Sequence, residues 1–319
     1  MTDLMSRQLN TRIFRRLGVS VLLGVLAIGP AHAQTSPGGQ APSESLDEAW
    51  WTGPMLANSA KTLPAGHALI ESYLYDDIEK HSNSYRSLSY LLYGLTDRVT
   101  VGLIPTGGAN QINGARSGTG IGDTTLQAQY ALTSFDARSG VPDISLAFRE
   151  SLPTGKYDRL NQASDAFGSG AYTALVAIFS QDYPNGRLLR GRLDLFESFS
   201  SDATVTDASV YGTAKGFLGH ARPGDAFAAD ASLEYSLTQN WVLALDLIYN
   251  HGDSSSVRGS LNGGADNFQL GASGSFGYAP AVEYNWSPNI GLLLGARIIT
   301  RGRNVPASVT PAIAINYVS

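Results

Sequence analysis

The 319-residue chain carries 22 Lys and Arg against 27 Asp and Glu, with 35 Gly, 15 Tyr and no Cys. The acidic balance excludes a nucleic-acid-binding surface, and the missing Cys excludes disulfides and thiolate metal sites. No run of about 18 apolar residues follows residue 33, which excludes a membrane helix from the mature chain.

The first 33 residues read as an export signal. Arg7, Arg12, Arg15 and Arg16 make a basic start, residues 17–28 a short apolar core, and Ala31-His32-Ala33 a small-x-small cleavage site. Removing this segment leaves 18 basic and 26 acidic residues, a net charge of −8. Residues 34–65 form a lead, Pro/Gly/Ser-rich up to about Leu46. It contains Trp50 and Trp51, which are expected either to anchor at the periplasmic rim or to plug the interior of the domain that follows.

From residue 66 to 319 the pattern is strand after strand. The clearest spans 241–250. Trp241, Leu243, Leu245, Leu247 and Tyr249 share one face, and Ala244, Asp246 and Asn250 the other. A two-residue period places these sets on opposite faces of a sheet, with aromatics at both ends of the apolar row, where membrane–water girdles form. The same alternation recurs at 124–132, 144–152, 229–237, 278–286 and 309–317. Short connections (96–97, 238–240, 287–289) alternate with long ones (107–120, 153–168, 201–225, 252–273).

The fold expected is all-β: an antiparallel transmembrane barrel of about 12 strands, with short periplasmic turns and long outer loops. Counting 205–217 and 268–275 as strands would give 14. Two stretches fit less well. The strand at 68–75 carries Glu71 and alternates poorly, and Glu197 falls in register with Leu193 and Leu195, which demands a rim position.

Short motifs add a resemblance. They are Thr52-Gly53-Pro54 with 62–67 (TLPAGH), 93–98 (YGLTDR), 120–123 (GIGD) and 152–159 (LPTGKYDR). In order and spacing the chain resembles the bacterial outer-membrane transporter family named for a MetA pathway of phenol degradation. The resemblance implies a monomeric barrel taking up aromatic or other hydrophobic nutrients, and it assigns no binding or catalytic residues. Most outer-membrane barrels end on an aromatic residue read by the barrel-assembly machinery; this chain ends Tyr317-Val318-Ser319.

Strand parity turns nine charges inward: Arg149, Arg190, Arg192, Asp194, Asp230, Glu234, Asp246, Glu283 and Arg297. Facing lipid at mid-bilayer, an Arg or Lys would cost about 2–4 kcal/mol and an acid somewhat less. Inside, they either form a constriction that selects solutes or pair across strands to fill a narrow lumen. No cofactor is expected. The glycines at 118, 120 and 122 precede a strand, so no helix N-terminus is offered to phosphate. The acidic loops lack calcium-loop spacing. His67, His81, His220 and His251 lack any local signature of a hydrolase. A passive outer-membrane channel for small hydrophobic or aromatic solutes is the function expected, with a non-transporting structural barrel or a barrel hydrolase as alternatives. Outer-membrane lipids and a small solute are the expected partners.

Overall fold

In the computed structural model, residues 50–184 and 188–319 are described; the export segment and the lead up to residue 49 lie outside them. Among the described residues no helix is long and apolar enough to cross a membrane. The crossing is made by strands. Twelve of them close the barrel, in one antiparallel sheet that Thr106–Ile112, Ala115–Arg116 and Gly120–Ile121 extend: β1 (Ala68–Glu79), β2 (Ser82–Thr96), β3 (Val99–Ile104), β4 (Thr124–Thr133), β5 (Asp143–Leu152), β6 (Thr173–Asp182), β7 (Leu189–Ser200), β8 (Ala226–Ser236), β9 (Trp241–Gly252), β10 (Ser273–Ser287), β11 (Ile290–Arg303) and β12 (Ser308–Val318). Each pairs with its neighbour in sequence, and β1 pairs with β12, so the sheet closes into a cylinder. Closure leaves no unpaired edge for lipid to meet.

Alternation explains each wall. In β9 every second residue from Trp241 to Tyr249 is exposed, while Val242, Ala244, Asp246, Ile248 and Asn250 are buried. Trp241, Tyr284 and Trp286 cluster at the periplasmic ends, with ring centroids 4.7 and 5.4 Å apart. Phe227 and Tyr249 pack together nearer the outer ends. β1 alternates poorly for a physical reason: its inner face is mixed, with apolar Leu69 and Tyr73 flanking the buried Glu71. Ile70 and Leu74 are exposed, whereas Leu69 and Tyr73 are buried in an interior cluster with Met55, Leu56, Leu88, Tyr90 and Leu92. Glu197 lies on the exposed face of β7, close to its outer end.

The count is twelve, and the alternative of fourteen is corrected. Ala203–Thr206, Phe217–Arg222, Ser255–Leu261, Gly264–Ala265 and Phe268–Leu270 form a separate five-stranded sheet outside the cylinder. It packs on the loop at 153–172 through Leu160, Ala171, Val205, Tyr211, Phe217 and Val257. Its strands bury one face against that loop instead of spanning lipid. The sheet grows from the outer connections β7–β8 and β9–β10, whereas the outer connections at 80–81 and 304–307 are short.

Candidate functional site: a chain segment inside the barrel

Residues 51–60 are all buried, and they run inside the cylinder. The segment enters at the periplasmic end, where the Trp50 N–H donates to Gln239 O of the β8–β9 turn (2.9 Å). The N–H groups of Thr52 and Gly53 then donate to Glu283 Oε2 on β10 (2.8 and 3.1 Å). Those of Met55 and Ala57 donate to Asp246 Oδ2 and Oδ1 on β9 (3.1 and 3.2 Å). Asn58 donates its N–H and Nδ2 to Asp194 Oδ2 on β7 (2.5 and 2.9 Å). Further on, Gln129 Nε2 of β4 donates to Ser59 O (2.9 Å), and the Leu63 N–H to Thr100 Oγ1 of β3 (2.8 Å). The chain therefore follows the inner wall from β10 round to β3.

The polarity of these contacts explains why the wall carries carboxylates. An extended segment that pairs with no strand leaves its N–H groups without partners, and a buried N–H without an acceptor is costly. The carboxyl oxygens of Glu283, Asp246 and Asp194 accept from these N–H groups and so remove that cost. Carbonyls and amides of the segment are met by cations instead. Arg192 Nη1 donates to Ala57 O (2.9 Å), and Arg149 Nη2 to Asn58 Oδ1 (2.6 Å).

Of the nine charges, three carboxylates and two arginines hold the segment in this way. Arg190 and Glu234 instead form a fully buried bidentate pair, through Arg190 Nε to Glu234 Oε2 (2.6 Å) and Arg190 Nη2 to Glu234 Oε1. Arg192 Nε lies 3.4 Å from Glu234 Oε2. The Arg190 guanidinium also stacks 4.5 Å from the Trp51 ring, a cation–π contact that ties the segment to the pair. Asp230 is buried directly across the β7–β8 ladder from Asp194. Arg297 stands apart, near the β1–β12 seam, 3.6 Å from Asp77. Trp50 is half-buried at the periplasmic end and Trp51 is buried inside.

Sequence reasoning missed several contributors. Gly291 is one: a Cβ there would stand 2.0 Å from Thr52 Oγ1 and 2.4 Å from Asn285 Oδ1. Gly94 is another, where a Cβ would meet Pro64 O at 2.1 Å. Their signal was present in part, since Gly94 lies within one of the quoted motifs. In space the motifs pair. The 62–67 stretch sits on the 93–98 stretch through Thr62 Oγ1 to Asp97 O (2.7 Å) and the Ala65 N–H to Asp97 Oδ1 (3.0 Å). Asp123 of the third motif accepts from the N–H of Gly155, in the fourth, and from Ser169 (2.9 and 2.7 Å). Burial pushes the Asp123 carboxyl up from its ordinary value, against the pull of these N–H donors.

The histidines are dispersed. His67 bonds Ser319 O at the periplasmic seam, His220 lies in the outer sheet, and His251 Nε2 is 3.4 Å from Asp253 Oδ1 at the outer end of β9. Among the described residues no cluster of His and acidic side chains could hold a metal ion.

A closed antiparallel cylinder with an apolar outer belt and a polar interior is a bacterial outer-membrane β-barrel. The sequence profile of the family described as "Putative MetA-pathway of phenol degradation" matches residues 53–311, and the chain belongs to that family. No curated protein matches the sequence. Among solved structures, an outer-membrane channel from Pseudomonas putida F1 is 15% identical, with a TM-score of 0.64 over 82% of this chain and 98% of that one. The KdgM porin is 9% identical (TM-score 0.46; 77% and 98% covered). The Ralstonia pickettii toluene transporter TbuX is 12% identical (0.43; 92% and 99%). The first likeness shows the fold.

Proposed function

We propose that this barrel is a passive outer-membrane channel for small apolar or aromatic solutes, and that residues 50–63 form a plug in its periplasmic half. The observation carrying the reading is the division of the interior. Charges on β5, β7, β9 and β10 hold the segment, while Tyr73, Leu88, Tyr90, Leu92, Ala312 and Ala314 of β1, β2 and β12 make an apolar wall that packs with its Met55 and Leu56. Packed charge repels an apolar solute, and the apolar wall accepts it.

A second reading has its own support. The fully buried Arg190–Glu234 pair fills space between strands, as a structural barrel without transport requires. Planar-bilayer conductance and uptake assays on the full mature chain separate the two. Deleting 34–63 is expected to raise conductance, and the intact chain to admit toluene in preference to a hexose. Unchanged conductance together with no toluene uptake would establish the structural reading.

A further inference from the structure

Inward-facing side chains are tightly packed on one side of the lumen and partly open on the other. Arg190, Asp194, Glu234, Asp246 and Glu283 of β7–β10 are fully buried. Tyr75, Asp77, Ser84 and Arg86 face inward from the outer halves of β1 and β2 and are only half-buried. The segment at 51–60 takes its polar contacts from β4, β5, β7, β9 and β10, round the rest of the cylinder.

Two guanidinium groups converge on the open side. Arg86 lies directly across the β1–β2 ladder from Tyr75, and Tyr75 directly across the β1–β12 ladder from Ala312. Arg297 of β11 lies across from Thr310 of β12. The Tyr75 phenol is within electrostatic reach of both arginines and of Asp77. Asp77 is already engaged: Thr310 Oγ1 donates to its Oδ1 (2.7 Å), and Arg297 Nη2 lies 3.6 Å from the same oxygen. Arg297 Nη2 also donates to Thr310 Oγ1 (3.3 Å), whereas its Nε is buried with no hydrogen-bond partner. Glu79, the next inward carboxylate toward the outer end, accepts from Ser82 Oγ (3.2 Å). Among the described residues Arg86 forms no ion pair; its guanidinium stacks 5.5 Å from the ring of Phe167, in the loop at 153–172.

A donor buried without an acceptor is costly, and a guanidinium more so than a neutral group. The planar donor fork of Arg matches a carboxylate, which accepts from two N–H groups at once. Apolar surface adjoins these donors. Leu88 lies two residues along β2 from Arg86, Tyr73 two residues along β1 from Tyr75, and Ala312 opposite Tyr75; all three are buried on the inner face. A cationic end beside an apolar wall fits a solute that is itself anionic at one end and apolar at the other.

We propose that Arg86 and Arg297, with Tyr75 between them, form an anion subsite in the outer half of the lumen that receives the carboxylate of an aromatic acid. The ring of the solute lies on Leu88, Tyr73 and Ala312. The subsite rests on the uptake reading above and adds a preference: among aromatic solutes, those carrying a carboxylate.

Protein-dependent uptake of benzoate and of toluene is measured in cells carrying the full-length protein or a variant, and the benzoate-to-toluene ratio is compared. The ratio does not depend on how much of each variant folds, and Arg86→Gln breaks no ion pair. Arg86→Gln is expected to lower the ratio about tenfold, as the loss of one charge-assisted bond does. Arg86→Lys is expected to restore part of it, and Arg86→Gln with Arg297→Gln to lower it further. In planar bilayers benzoate is expected to block the ion current of the unaltered protein, and acetate at the same concentration to leave it open. A ratio unchanged in Arg86→Gln and in the double variant removes the subsite while leaving the uptake reading intact, and so does acetate that blocks as well as benzoate. Absence of both benzoate and toluene uptake by the unaltered protein overturns both.

Discussion

Gly291 shows how a single position controls the interior. A side chain there would occupy the place of Thr52 Oγ1, so Gly291→Val is expected to dislodge the start of the plug while leaving the β11 ladders paired. Protease cleavage near residue 52 in the folded, membrane-inserted protein should rise; unchanged protection would show that the segment docks without this space. Arg190 is governed by a different term. Its loss leaves the fully buried Glu234 carboxylate without its bidentate partner, and breaking a buried pair costs about 3–5 kcal/mol. Arg190→Ala is therefore expected to lower the unfolding midpoint in urea, and Arg190→Met with Glu234→Leu to recover most of it. The inward position of Arg190 follows from strand parity. Its partner does not, because Glu234 lies on a neighbouring strand and the register that brings the two together is set by the whole sheet.

At the scale of elements, the plug is held by side chains and the strands by backbone. Glu283, Asp246 and Asp194 sit on β10, β9 and β7 and accept from successive N–H groups of one extended segment. Asp246→Ala with Glu283→Ala removes four of these bonds. The double variant is expected to raise single-channel conductance while the barrel still resists SDS at room temperature. Conductance equal to the parent's would mean that the apolar contacts of Met55 and Leu56 suffice to hold the segment. The strands themselves were legible because a two-residue period survives in any strand that has lipid on one side and polar groups on the other. It fails in β1 because that strand's inner face is mixed, with Leu69 and Tyr73 on either side of Glu71. Residues 203–222 and 268–270 have strand-like composition for another reason: they build a sheet outside the membrane, and alternation reports a half-buried face without saying what lies against it.

For the molecule as a whole, the two ends of the cylinder are built differently. Residues 51–60 run inside the cylinder, and the loop at 153–172 packs with the five-stranded sheet at the outer end. Asp123 fixes this loop by accepting from Gly155 and Ser169. Asp123→Ala is expected to speed amide exchange at 155–171 and leave exchange in β7–β10 unaltered; uniform protection would place the anchor of the loop in its apolar cluster instead.

The sequence by itself determined that this chain is exported, crosses a membrane with strands, turns nine charges away from lipid and belongs with outer-membrane transporters in its motifs. These are consequences of local periodicity and composition, which any strand in that environment must satisfy. Only the tertiary structure decided that three of the carboxylates grip the backbone of residues 52–58, that the quoted motifs meet in pairs, and that Arg86 and Arg297 come to one side of the lumen around Tyr75. Those facts depend on which residues face each other across a closed cylinder. Closure joins positions more than 200 residues apart, and no local pattern encodes that distance.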